Sequence, residues 1–339
     1  MIFPGASGAV LGVRRVARAI AAVALAIGAV YVVTRRAELP SLDIPALVLS
    51  LAALALLLLP LPVLLSGRGV ARLKAWVDDR PLRAVGLPVV LLLPCVVYWS
   101  VPGNATLSGI LHLLLYIAVP SALAVSLPRR REPSLGDALV VLTIWIPVEF
   151  RLLSGSFPWP SASAGSVLVG PLALDLLLYL MLVVRRFDAT GLALRAEPRD
   201  VASATGAFAA FAIVGVPIGL GTGFLNFGVH NGGVLTALAG GAIILIFTGL
   251  PEEVLFRGFI QTMIERWTGR PFASLVVASL IFGAAHLDNG RTAPDWRYGL
   301  LATLAGLAYG WVYQRTRRIL APAITHALVD VTWSFFFKG

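Results

Sequence analysis

The chain has 339 residues, 58% apolar and 13% charged, with a formal net charge of +10 and a mean hydropathy of +0.88. Soluble domains carry about 25% charged residues, so too few charges are present to keep this much apolar surface in water. These figures exclude a soluble globular enzyme, a disordered chain and a nucleic-acid-binding domain, and they leave an all-α, polytopic integral membrane protein.

A membrane-spanning helix needs about 20 mostly apolar residues. In chain order, spans are predicted near 16–34, 44–65, 85–102, 108–127, 137–152, 166–184, 203–222, 235–256, 271–286, 298–313 and 319–337. That is about 11 transmembrane helices, within a range of 8–11. Arg14, Arg15 and Arg18 precede the first span, which reads as a retained signal anchor. The longest polar stretches, 67–84 and 185–202, are too short for a soluble domain. The second divides an N-terminal transmembrane region of unassigned role, 1–200, from a C-terminal region, 201–339, with its motifs at 249–335.

The basic residues sit in short groups between the apolar runs, which is a topological pattern and not a nucleic-acid-binding face. Counted on alternate sides of the spans, they divide 20 to 6. That division places the N-terminus in the cytoplasm. Gly249-Leu250-Pro251 could break the eighth span in two, which leaves the parity beyond residue 249 open. The single cysteine, Cys95, excludes an intrachain disulfide framework.

Ionisable groups inside a membrane are costly, so each one calls for a reason. The densest group is Pro251-Glu252-Glu253-Val254-Leu255-Phe256-Arg257-Gly258. Proline suits the first turn of a new helix, and acids after it complement the positive helix end. Glu253 and Arg257 are four residues apart with the acid first, the favourable order for a helical ion pair. Neighbouring helical residues diverge by roughly 100°. If Glu253 turns toward Arg257, Glu252 faces elsewhere and is free to work. A plain salt-bridged helix end is the alternative.

Phe282-Gly283-Ala284-Ala285-His286 closes the ninth span, with Phe282 one turn before His286 and small residues between that permit close helix approach. In the last span, His326 and Asp330 are four apart and project from one region of the helix surface. Each pair alone reads as a packing contact. Gathered around one wet cavity, Glu252, Glu253, Arg257, His286, His326 and Asp330 supply two imidazoles and free carboxylates, the parts that hydrolysis needs.

The ordered set Glu-Glu-x-x-x-Arg, Phe-x-x-x-His and His-x-x-x-Asp, each on a membrane helix, resembles the CPBP family. This family comprises the CAAX prenyl endopeptidases and bacteriocin-processing proteins, also called Abi. The resemblance covers roughly residues 235–337. It implies an intramembrane endopeptidase in which Glu252 and His286 hold and activate water, Glu253 and Arg257 order the site, and His326 with its partner stabilises the oxyanion. Family members with Asn where Asp330 stands have an amide N–H to donate to an oxyanion; an ionised Asp cannot donate. Asp330 is then protonated, or orients His326, or binds a cation.

The resemblance leaves the metal open. Glu252, His286, His326 and Asp330 are the candidate ligands for a divalent ion such as zinc, which needs three protein ligands plus water. The His-Glu-x-x-His motif is absent, and the reading favours metal-free water activation. The expected partners are membrane lipids and a peptide or protein substrate in the membrane, of prenyl or leader type, and the expected location is a bacterial inner membrane. Two other readings stay open. A proton-coupled transporter would use His112, Glu149 and Asp175. A non-catalytic immunity or scaffold protein of the same fold is kept in play by Asp330. The loop 222–234, with Asn226, His230 and Asn231, reads as a turn or a cavity entrance.

Overall fold

A computed structural model describes residues 43–130, 132–158, 162–188, 191–192, 197–228, 233–290 and 293–338. The expected span 16–34, His230 and Asn231 lie outside these residues.

The remaining expected spans all coincide with helices, and the chain is a polytopic helical membrane protein. Seven helical stretches among the described residues are long and apolar enough to cross a membrane. Three expected spans fall outside that set for physical reasons. The helix for 137–152 has 15 residues and that for 319–337 has 17, about 22 and 26 Å against a core of about 30 Å. The helix for 298–313 has 21 residues, but it carries Arg297, Gln314 and Arg315.

The chain divides into two compact units, one comprising the residues up to Pro128 with Leu139–Arg186, the other Arg129–Ala138 with Phe187–Gly339. In the first, helices α1 (Ile44–Leu58), α2 (Leu61–Leu64), α3 (Gly67–Asp79), α4 (Gly86–Val90), α5 (Leu92–Trp99) and α6 (Leu107–Ser126) precede α8 (Ala162–Leu178) and all but the first turn of α7 (Leu135–Glu149). A π-turn segment, Tyr179–Val184, continues α8 and is buried throughout. Arg185 closes this unit by donating from Nη1 to the Leu127 carbonyl at 2.6 Å and from Nη2 to the Pro128 carbonyl at 2.9 Å. These are carbonyls that the end of α6 leaves without helical partners.

The second unit contains α9 (Pro198–Gly221), a helical run over 233–268 that we label α10, α11 (Pro271–Ala285), α12 (Trp296–Thr316) and α13 (Leu320–Phe336). Two-residue strands β1 (Asn226–Phe227) and β2 (Phe337–Lys338) pair antiparallel, with Asn226 opposite Lys338. Asn226 therefore serves the tie between this loop and the end of α13. The α9 start is pinned to the α12–α13 connection by Arg318, which meets Glu197 at 2.8 Å and Asp200 at 3.0 Å. Arg317 pairs with Glu265 across the same connection.

No new helix starts at Pro251. The run continues through it, with π turns at Leu245–Gly249 and Val254–Gln261 on either side of Leu250–Glu253. Proline has no N–H for the residue four back and its ring crowds that carbonyl. A widened turn just before it accommodates both defects without breaking the helix. Glu252 and Glu253 consequently lie inside a membrane-length helix.

Close helix approach sets the frame of the site. At Gly283 on α11, a β-carbon would run into Thr303 and the Gly299 carbonyl of α12. At Gly249 on α10, it would stand 3.1 Å from the Ala323 carbonyl and 3.6 Å from the His326 β-carbon of α13. Gly283→Val is expected to wedge α11 from α12. Overpacking of this kind costs about 1–3 kcal/mol, to be read as a lowered thermal midpoint of the detergent-purified protein.

Candidate functional site

The site grows from one requirement: a charge buried in an apolar bundle must be neutralised. Arg257 and Glu253 are both 0% exposed. One helical turn apart, they meet with Arg257 Nε donating to Glu253 Oε2 at 2.9 Å. The guanidinium lies over Phe282, 5.3 Å from the ring centre, and over Tyr309 at 5.9 Å. Its two terminal nitrogens have no hydrogen-bond partner among the described residues. The ring faces therefore supply the rest of its stabilisation.

Glu253 spends its other oxygen on α13, where Oε1 meets His326 Nδ1 at 3.0 Å. A carboxylate accepts only, so Nδ1 carries the hydrogen of this bond. The other nitrogen, Nε2, is 3.5 Å from Asp330 Oδ2 and 3.9 Å from Glu252 Oε2. Glu253 is sealed in an Arg–Glu–His chain, while the Glu252 side chain is 31% exposed and Asp330 30%.

Phe282 organises the opposite wall. Its backbone carbonyl meets His286 Nδ1 at 2.8 Å. A carbonyl accepts only, so His286 Nδ1 is the donor and Nε2 keeps a free lone pair. The Phe282 ring also packs against the His286 ring at 4.4 Å and edge-on to His326 at 5.8 Å. One aromatic residue four before His286 thus touches both histidines.

Glu252, His286, His326 and Asp330 line one cavity of about 240 Å³, with Glu253 and Arg257 behind its wall. The rest of the lining is mainly apolar and aromatic, including Phe208, Phe211, Phe224 and Trp333. Two tyrosines on α12 also face it, Tyr298 beside His286 with ring centres 5.3 Å apart and Tyr309 stacked on His326 at 4.8 Å. The sequence reading missed both because it weighed ionised groups and passed over phenols in an apolar run. His112, Glu149 and Asp175, the residues a transporter would use, belong to the other unit and are not part of this lining.

The candidate metal ligands Glu252, His286, His326 and Asp330 all stand on the cavity wall. Among the described residues, no three His, Cys, Asp or Glu side chains form a ligand group. His326 Nδ1 is bonded to Glu253, which leaves only Nε2, 3.5 Å from Asp330 Oδ2 and 3.9 Å from Glu252 Oε2, to meet an ion. Zinc needs three protein donors at about 2.0–2.2 Å from one point.

Residues 234–332 match the family described as type II CAAX prenyl endopeptidase Rce1-like. The resemblance carried by the three motifs holds for this Rce1-like region. Two relatives from Bacillus subtilis (strain 168) are similar over part of their lengths. "Uncharacterized protein YpbD" is 32% identical over 83 residues, 24% of this chain and 38% of that protein. "Putative membrane peptidase YdiL" is 33% identical over 79 residues, 23% of this chain and 29% of that protein. The matches thus span well under half of either relative. No solved structure matches the chain at a significant level.

Removing one member of a buried ion pair strands the other, at about 3–5 kcal/mol, whereas replacing both with apolar groups is often close to neutral. Glu253→Met and Arg257→Met are each expected to lower the thermal midpoint strongly. The double variant is expected to recover most of that loss in the same melting experiment.

Proposed function

We propose that this chain is an intramembrane endopeptidase that hydrolyses a peptide bond with water activated by Glu252 and His286. The observation that carries this reading is the convergence of Glu252, His286, His326 and Asp330 on one cavity inside the Rce1-like region. His286 Nε2 holds the water, and the Glu252 carboxylate takes its proton as the water oxygen bonds to the scissile carbonyl carbon. The tetrahedral intermediate collapses with cleavage of the C–N bond, and Glu252 returns the proton to the leaving amine. A carboxylate in apolar surroundings is a stronger base than one in water. Glu253 and Arg257 are positioning residues: they fix the ring of His326, which borders the reacting carbonyl.

The mostly apolar wall suits a substrate that arrives through lipid. A peptide whose cysteine carries a prenyl chain is the first candidate by family, followed by a leader peptide or a membrane-protein segment. The proposed setting is a bacterial inner membrane with the N-terminus in the cytoplasm, in keeping with the 20-to-6 division of basic residues.

The test is cleavage of a fluorogenic peptide with a farnesylated cysteine by the purified protein in liposomes. Cleavage by the wild type, with kcat lowered about 10²–10⁴-fold in Glu252→Ala, is expected for loss of a general base. Binding without cleavage would favour a scaffold role, and accumulation of intact peptide inside the liposomes a transport role. If Glu252 and His286 activate the water without a metal, cleavage is expected to persist after dialysis against a chelator. Loss of activity there, restored by zinc alone, would overturn the metal-free mechanism.

A further inference from the structure

The proposed hydrolysis generates an oxyanion in a cavity lined by two carboxylates, Glu252 and Asp330. Asp330, when ionised, cannot donate to it. His326 has its Nδ1 hydrogen committed to Glu253. A neutral donor is what the chemistry calls for, and the cavity wall contains one.

Tyr309 is 1% exposed and lines the cavity. Its ring lies nearly parallel to His326, with centres 4.8 Å apart and planes 16° from parallel, and packs edge-on to Phe282 at 5.9 Å. Buried tyrosines ordinarily commit their hydroxyl to a partner, and others in this protein do so. Tyr116 donates to the Ile144 carbonyl at 3.2 Å, Tyr179 to the Arg83 carbonyl at 2.8 Å, and Tyr313 shares a bond with Thr262 at 3.0 Å. The Tyr309 hydroxyl bonds to no described residue. Tyr309 is one of the residues that form the cavity wall beside Glu252, His326 and Asp330. Tyr298, the other phenol on the wall, is half-buried and packs on His286.

We propose that Tyr309 is a catalytic residue whose O–H donates to the substrate carbonyl oxygen and stabilises the oxyanion that Asp330 cannot serve. This assignment rests on the hydrolytic reading above. As the water oxygen bonds to the carbonyl carbon and Glu252 accepts the water proton, the C=O electron pair moves onto oxygen, which accepts a hydrogen bond from Tyr309. When the C–N bond breaks, the electron pair re-forms C=O and the Glu252 proton goes to the amine. Tyr309 keeps its own proton throughout. Stacking on His326 fixes the phenol before substrate arrives, the preorganisation that makes such donors effective.

Tyr309→Phe retains the ring and its stacking and removes only the donor. With the farnesylated peptide, kcat is expected to fall about 10²–10³-fold, the usual effect of losing one oxyanion donor, with KM unchanged. A phosphinate analogue of the same peptide, which carries a tetrahedral anionic centre, is expected to bind Tyr309→Phe more weakly by a similar factor. The uncleaved peptide should bind Glu252→Ala and Glu252→Ala/Tyr309→Phe equally. Adding Asp330→Asn to Tyr309→Phe supplies an amide donor nearby and is expected to restore part of the lost kcat. Unchanged kcat and phosphinate affinity in Tyr309→Phe, with Glu252→Ala inactive, would overturn the assignment of Tyr309 and leave the hydrolytic reading intact. Full activity in Glu252→Ala would overturn that reading, and the role of Tyr309 with it.

Discussion

A guanidinium with no exposure to solvent, set in the middle of apolar helices, is the constraint on which the candidate site depends. Arg257 cannot stay there without a counter-charge, and Glu253, one turn earlier, supplies it at 2.9 Å. That pairing settles which way Glu253 points, and with it which way Glu252 points. It leaves one oxygen of Glu253 to hold a histidine from another helix. A buried ion pair of this sort adds little net stability. Its contribution here is geometric, since three side chains from two helices have one mutually satisfied arrangement.

The aromatic residues complete that arrangement. Phe282 lies under the Arg257 guanidinium and against both histidines, and its backbone carbonyl sets the tautomer of His286. Tyr309 stacks on His326 and lies against the Arg257 guanidinium. Close approach at Gly249 and Gly283 brings α10 to α13 and α11 to α12 within reach of these contacts. The polar chemistry is therefore held by ring faces, with few hydrogen bonds, as suits a site surrounded by hydrocarbon.

Much of this was legible because it is local. Glu253 with Arg257, Phe282 with His286 and His326 with Asp330 are each four residues apart, and helical geometry alone puts each pair on one face. What was not legible depends on contacts distant in sequence or on backbone adjustment. Glu253 and His326 are 73 residues apart, and no spacing rule predicts their bond. Pro251 looks like a helix start, yet π turns carry the helix through it, a response with no local sequence signature. Tyr309 belongs to no motif, and its hydroxyl stands out only because other buried phenols of the chain, Tyr116, Tyr179 and Tyr313, are bonded. The N-terminal spans were legible as apolar helices and nothing more, since their packing carries no recognisable chemistry.

The central claim is that two adjacent carboxylates have opposite jobs, Glu253 holding the structure and Glu252 meeting the reacting water. Parallel melting and turnover measurements on Glu252→Gln and Glu253→Gln test it most directly, because both changes are isosteric and differ by one position. The account predicts that Glu252→Gln melts like the wild type and does not turn over, while Glu253→Gln melts markedly lower. Equal thermal destabilisation of both variants, or turnover retained by Glu252→Gln, would contradict it.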